Sequence, residues 1–320
     1  MQFKRDIQNE ESLIKGLPIN KVGIKNVLRK IEISKGQFQY SINVKISAYI
    51  TLPGTQRGIH MSRTAESIEE VINSAIYRPA RNVEEFCIRI VDALFRDHDY
   101  TDHAEVEMNG TIFIIRKPNE RDQIQKAHEI YSKVIGDRDD KGDITRKVYV
   151  GVSALGITAC PCAQEMSREY AKQIISSRDF NIDEEKIDEI INLIPIASHN
   201  QRAKGKIIVG NGNGEKELVD VLDLIDLIES SMSARIQSIL KRPEESELVR
   251  VAHLNPMFVE DVVRNMAKKL ASKKFEEIPD HHTIEACAET EESIHHHNAY
   301  AEINTTFKRL RETFNQGYKK

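Results

Sequence analysis

Cysteine is scarce in this chain, long apolar runs are missing, and neither sign of charge dominates. Four cysteines in 320 residues do not make a disulfide framework. No stretch of about 18 apolar residues occurs, so no membrane-spanning helix and no membrane partner are expected. The start, Met1-Gln2-Phe3-Lys4-Arg5-Asp6, lacks an apolar core of signal-peptide length. A cytoplasmic location is the expectation, where reduced thiols stay available as metal ligands. The 46 basic and 50 acidic residues leave a formal net charge of -4. That balance gives no reason to expect nucleic acid as a partner. What is present is 40% hydrophobic and 30% charged, the composition of a globular protein with a real core. The length exceeds a usual single domain, so one large or two modest domains are expected.

Periodicity outlines the elements. Residues 38–52 alternate, with Ile42, Val44, Ile46, Ala48 and Ile50 on one face of a strand. A shorter strand precedes it at 22–33, and Pro53-Gly54 marks a turn. Helices are expected over 64–77 and 82–97. In the second, Val83, Phe86, Ile90 and Leu94 recur at helical spacing behind Asn82 as N-cap. Strands return at 104–108 and 111–116, split by the hairpin dipeptide Asn109-Gly110. Residues 119–136 read as helix and 137–144 as a charged connector. The second half repeats the theme: strands at 147–157 and 205–209, helices at 218–240 and 256–270, strands at 283–289 and 299–304. A charged, helix-prone insertion at 163–195 separates the first two of these strands. The pattern predicts an α+β protein of two tandem ββααββ units, 1–144 and 145–320, with antiparallel sheets.

Several polar runs carry the chemistry. Thr158-Ala159-Cys160-Pro161-Cys162-Ala163-Gln164 follows a strand and holds two of the four cysteines. Cysteine and histidine are ligands for zinc or ferrous iron, but two core cysteines at a strand end explain a lone C-x-C equally well. Pro161 favours a turn, and alternation points the two thiols differently, so one of them at most is a direct ligand. Ser198-His199-Asn200-Gln201-Arg202 suits a site on a loop, or a solvated loop. His295-His296-His297 suits a site or a solvated turn; on a strand, His295 and His297 would share a face. His281-His282 reads as turn. Glu260, after Phe258 and Val259, is expected to be partly buried and to need donors, which a guanine edge would supply. Leu52 to Arg63 carries Arg57, His60 and Arg63. It reads either as a polyphosphate site or as an ordinary loop capped by Ser62.

Taken together, Q-R-G-I-H-M-S-R (56–63), C-P-C (160–162), S-H-N-Q-R (198–202), K-R-P-E-E (241–245), N-P-x-F-V-E-D (255–261) and E-S-I-H-x-H (292–297) resemble the type IB GTP cyclohydrolases in order and content. The length, the T-A-C-P-C-A-Q form and the insertion are similar to the archaeal branch. The resemblance covers about residues 40 to 305. It implies a tunnelling fold, in which ββααββ modules join into barrels on oligomerisation, as a homodimer or homotetramer. It implies GTP as substrate and a metal held by Cys160, His199, Glu245 and His295. Fe(II) is the metal of the archaeal branch, with Zn or Mn also compatible with such a shell. Glu260 matches the guanine anchor, Arg57, Arg63, Gln201 and Arg202 fall among the substrate-binding positions, and His297 or His60 would move protons.

The implied reaction opens the guanine imidazole ring at C8 and releases formate. The archaeal branch implies a 7,8-dihydroneopterin 2′,3′-cyclic phosphate as product, the bacterial type a dihydroneopterin triphosphate. Two other readings remain open from the residues: a tunnelling-fold enzyme using Cys160 as a covalent nucleophile, and a purine-binding protein with a structural metal.

Overall fold

The computed structural model describes residues 6–14, 16–35, 38–75, 80–116, 124–178, 180–211 and 219–316. The chain divides into two compact units. The first draws on Met1–Ile114, Ala127–Val152 and Ile208–Val221, the second on Ile115–Lys126, Ser153–Ile207 and Leu222–Lys320.

The first unit holds β1 (Ile19–Lys35), β2 (Phe38–Leu52), α1 (Met61–Ser74), α2 (Val83–Asp97), most of β3 (His103–Arg116) and β4 (Ile124–Arg138), and the start of β5 (Ile144–Ala159). The strands are ordered β1-β2-β3-β4-β5, with β1–β2 and β2–β3 antiparallel. Alternation along β2 buries Ile42, Val44, Ile46, Ala48 and Ile50, the face that the spacing predicts. Val83, Phe86, Ile90 and Leu94 of α2 are buried too, each such side chain contributing about 1.5–3 kcal/mol. The Asn82 side chain accepts from Glu85 N at 3.0 Å and starts the helix. α2 crosses β4 closely at Gly136, where an added Cβ would stand 2.6 Å from the Phe95 ring and 2.8 Å from Val91.

Three expectations fail in this unit. β1, expected at 22–33 and shorter than β2, has 17 residues against the 15 of β2. Its register against β2 shifts between Ile24 and Val27. There Asn26 adopts φ 60° and donates its N–H to Ser47 Oγ at 3.1 Å. This bulge breaks the period of two and hides the strand's length. β3 runs unbroken through Asn109-Gly110, which pair with Lys45 and Val44 instead of turning. The expected helix at 119–136 begins outside the described residues, and 124–136 is strand β4. Its inward positions are His128, Ile130, Ser132 and Val134, all buried. Two polar side chains on the inward face erase the apolar alternation that would identify a strand. Burial pushes the thiol of Cys87 on α2 up to about 12.

The second unit continues β5 and adds α3 (Pro161–Ser176), α4 (Glu184–Leu193), β6 (Asn200–Asn211), α5 (Val221–Glu229), β7 (Ala234–Arg235), α6 (Arg242–Leu254), α7 (Val259–Leu270), β8 (Thr283–Thr290), β9 (Ala299–Thr306) and α8 (Phe307–Gln316). The strands are ordered β5-β6-β8-β9, with β7 antiparallel on β5 and β8–β9 antiparallel. α7 packs over β8 and β9 through Val262, Met266 and Leu270. The insertion folds as the helix pair α3–α4, tied by Lys172–Asp188 and Arg168–Asn192, both 2.8 Å. The single helix expected at 218–240 starts outside the described residues and is cut short. Ser231 Oγ donates to Leu227 O at 2.7 Å, and buried Glu229 meets Lys126 at 3.3 Å and Arg235 at 3.4 Å. The next helix begins at Val259 rather than at 256, because the Asp261 carboxylate accepts from Phe258 N at 3.1 Å.

The protein is thus α+β, and the order ββααββ occurs twice, the second time with helices and the two-residue strand β7 inserted. No helix among the described residues is long and apolar enough to cross a membrane.

Candidate metal and substrate site

Cys160 stands where β5 ends and α3 begins. Pro161 takes the first helical position, whose missing N–H costs nothing there. Cys160 is the N-cap, its sulfur accepting from Ala163 N at 3.5 Å. It is half-buried, whereas Cys162 is exposed; neither is in a disulfide. The Cys160 backbone is fixed from three sides. Its N–H donates to His199 O at 3.0 Å, and Ser198 Oγ donates to its carbonyl at 2.6 Å. The neighbouring Ala159 O accepts from Met257 N at 2.9 Å. Buried Gln164 adds a clamp, donating to Ile196 O at 2.9 Å and His253 O at 2.6 Å. His253 in turn reaches Ser198 O at 3.0 Å. Ser198 and Gln164 belong to the polar runs S-H-N-Q-R and T-A-C-P-C-A-Q that the sequence marks, without an assigned role, whereas His253 lies outside every such run.

His199 is half-buried at the start of β6. Its Nδ1 lies 3.0 Å from Gln201 Oε1 and 3.5 Å from Ser293 Oγ. Gln201 Nε2 donates to Glu292 Oε1 at 3.2 Å, which also accepts from Thr290 Oγ1 at 2.8 Å. Glu291 N donates to Arg202 O at 2.9 Å, joining the 290–293 segment to β6. Three expected positions, Cys160, His199 and Gln201, therefore come together, and Arg202 is exposed beside them.

The other candidates stand differently. His295 and His297 are exposed in the β8–β9 connection rather than on a strand, yet share a side. Their rings stack with centroids 5.2 Å apart and 14° between planes. Glu245 is exposed in the first turn of α6. Glu260, expected to be partly buried, is exposed in the first turn of α7 because Val259 beside it takes the inward position. Glu260 borders a groove of about 530 Å³ between α7, β9 and α8, with Val263, Ile303, Leu310 and Phe314 as apolar lining and Arg264 and Arg309 as cations. Among the described residues no three His, Cys, Asp or Glu side chains gather closely enough to hold a metal ion. The chemistry of Cys160 and His199 fits one all the same: a thiol and an imidazole on hydrogen-bonded neighbouring segments are a zinc- or iron-type donor pair.

In the first unit, the loop 53–60 lies against residues 6–10 and Gly16. Arg57 N donates to Glu10 O at 2.9 Å, Gly58 N to Gln8 O at 3.2 Å and Gly16 N to Gly54 O at 3.3 Å. The Arg57 guanidinium meets the Glu10 carboxylate at 3.5 Å. His60 Nε2 faces Asn9 Oδ1 at 3.3 Å and Asp6 at 3.5 Å. His60, not Ser62, is the N-cap of α1, without a side-chain cap bond. Arg63 donates to Asp97 O at 3.4 Å. Nearby His98 went unnoticed in the sequence. It is fully buried between Thr64 Oγ1 at 3.1 Å and Tyr100 OH at 2.8 Å. Burial, reinforced by the Arg63 charge, lowers its pKa to about 4.

Comparison with known proteins gives this arrangement a family. The model of the type I GTP cyclohydrolase folE2 family matches residues 5–301, a span that includes every candidate residue named above. The chain is 36% identical over 313 residues to GTP cyclohydrolase MptA 2 of Methanocella arvoryzae, covering 97% of this chain and 99% of that one. It is 38% identical over 302 residues to GTP cyclohydrolase MptA of Methanothermobacter thermautotrophicus, covering 93% of each. Among solved structures, uricase from Arthrobacter globiformis superimposes with a TM-score of 0.48 at 9% identity, covering 90% of this chain and 93% of that one. The chain belongs to the type I GTP cyclohydrolase folE2 family.

Proposed function

We propose that this protein is a metal-dependent GTP cyclohydrolase that opens the guanine imidazole ring at C8, releases formate and forms 7,8-dihydroneopterin 2′,3′-cyclic phosphate. The observation that carries the reading is the junction of Cys160 and His199, two segments 39 positions apart in sequence tied by a 3.0 Å backbone hydrogen bond. Relatives that span nearly the whole chain bear the name GTP cyclohydrolase MptA, which supports GTP as the substrate.

In this reading Cys160 and His199 hold a divalent cation, Fe(II) by preference, with Glu245 and His295 as the remaining donors. When bound, the cation supplies an acidified water for attack at C8. Glu260 accepts the guanine N1–H and 2-amino hydrogens as a pair, a pattern that a carboxylate matches and an amide does not. His297, stacked on His295 and exposed, is suited to pass a proton to or from the purine.

Mass spectrometry of the product from GTP, with purified protein and anaerobic Fe(II), tests the product assignment. The expected result is a dihydropterin bearing one cyclised phosphate, with pyrophosphate and formate released. A dihydroneopterin triphosphate would assign the chain the other product, and recovery of intact GTP would defeat the reading.

A further inference from the structure

We infer that Glu292 and Gln201 are positioning residues that fix the tautomer of His199, so that the ring presents Nε2 as its lone-pair nitrogen. The inference rests on the proposed role of His199 as a metal ligand, but its geometry stands apart from any metal.

Glu292 anchors the relay. An ionised carboxylate only accepts hydrogen bonds. Glu292 Oε1 is therefore the acceptor for both groups that approach it, Thr290 Oγ1 at 2.8 Å and the Gln201 amide at 3.2 Å. The amide must turn its NH2 toward Glu292, which aims its carbonyl Oε1 the other way. That oxygen stands 3.0 Å from His199 Nδ1. A carbonyl cannot donate, so the proton of this bond belongs to Nδ1. In a neutral imidazole, a proton on Nδ1 leaves the lone pair on Nε2. Ser293 Oγ, 3.5 Å from the same Nδ1, can accept as well and does not oppose the assignment.

The relay has a rigid frame. Glu291 N donates to Arg202 O at 2.9 Å, which holds the 290–293 segment against the strand carrying Gln201. The Cys160 N–H, donating to His199 O at 3.0 Å, holds the histidine backbone on the opposite side. Ring orientation and tautomer are therefore set before any ligand arrives, as a metal-binding histidine requires. Both ends of the Gln201 amide are used within this relay, which makes its contribution one of positioning.

The test reads the ring directly. Nitrogen-15 NMR of the metal-free full-length protein at pH 8 distinguishes protonated from unprotonated ring nitrogens, and Co(II) titration by visible absorption measures affinity. The wild type is expected to show His199 protonated at Nδ1. Glu292→Ala and Gln201→Leu should shift the ring toward Nε2 protonation and weaken Co(II) binding by roughly tenfold or more. Glu292→Gln, whose carbonyl still accepts from Gln201, should keep both properties near wild type. A wild-type ring protonated at Nε2 would overturn the inference, as would alanine and leucine variants with an unchanged tautomer and unchanged Co(II) affinity. Should Glu292→Ala not fold, the wild-type spectrum and Gln201→Leu still decide. Failure of the metal reading would look different: the tautomer would respond as stated while no variant, nor removal of the Cys160 thiol, altered Co(II) binding.

Discussion

Cys160 and Cys162 are one residue apart and chemically identical, yet the fold gives them opposite surroundings. Cys160 caps α3 and is half-buried on a backbone held by His199 and Ser198, whereas Cys162 is exposed on the helix. The local sequence made the motif visible, because C-P-C and S-H-N-Q-R are contiguous runs. It did not reveal which residues, inside those runs or outside them, support the site. Gln164, Ser198, His253 and Glu292 are ordinary polar residues until the chain brings them into hydrogen-bonding distance. His98 was hidden for the same reason, since burial and the Arg63 charge are properties of the fold. It gives the residue scale its prediction. The ordinary value is 6.5 and the folded value about 4, so the unfolded chain binds the extra proton between those limits. The stability contribution is complete above pH 6.5 and is lost as pH falls toward 4. Thermal melts of wild type and His98→Gln from pH 7 to 4 should show the steeper acid loss in the wild type. Parallel losses would argue that His98 is not held neutral.

At the scale of elements, legibility followed the polarity of inward positions. β2 and α2 bury uninterrupted apolar faces and were read at nearly the right bounds. β4 places His128 and Ser132 on its inward face, so its sequence lacks the apolar alternation of a strand. β3 carries a dipeptide that favours hairpins, but pairing of Asn109 and Gly110 with β2 prevailed over that local preference. The close crossing of α2 over β4 is a tertiary feature with a sequence trace, Gly136. Gly136→Val should force Phe95 and Val91 aside and destabilise the protein by roughly 1–3 kcal/mol. Chemical denaturation measures it; a variant as stable as wild type would mean that the helix can withdraw from the strand without loss.

For the whole molecule, the doubled ββααββ order was legible because element types and their sequence survive errors in individual bounds. The compact units were less so: their limits cut through β5 and β6, which run from one unit into the other, and no composition change marks a limit inside a strand. The family was legible through six ordered runs, and the match over residues 5–301 agrees with them. The central claim is that GTP is opened by chemistry centred on Cys160 and His199 and dependent on a divalent cation. Formate release from GTP measures it most directly, using wild type, Cys160→Ala and Cys162→Ala, each as purified, after chelation, and after anaerobic return of Fe(II). The account predicts that wild type and Cys162→Ala lose formate release on chelation and regain it with Fe(II), while Cys160→Ala stays inactive throughout. Undiminished formate release by the chelated wild type, or full activity of Cys160→Ala, would contradict it.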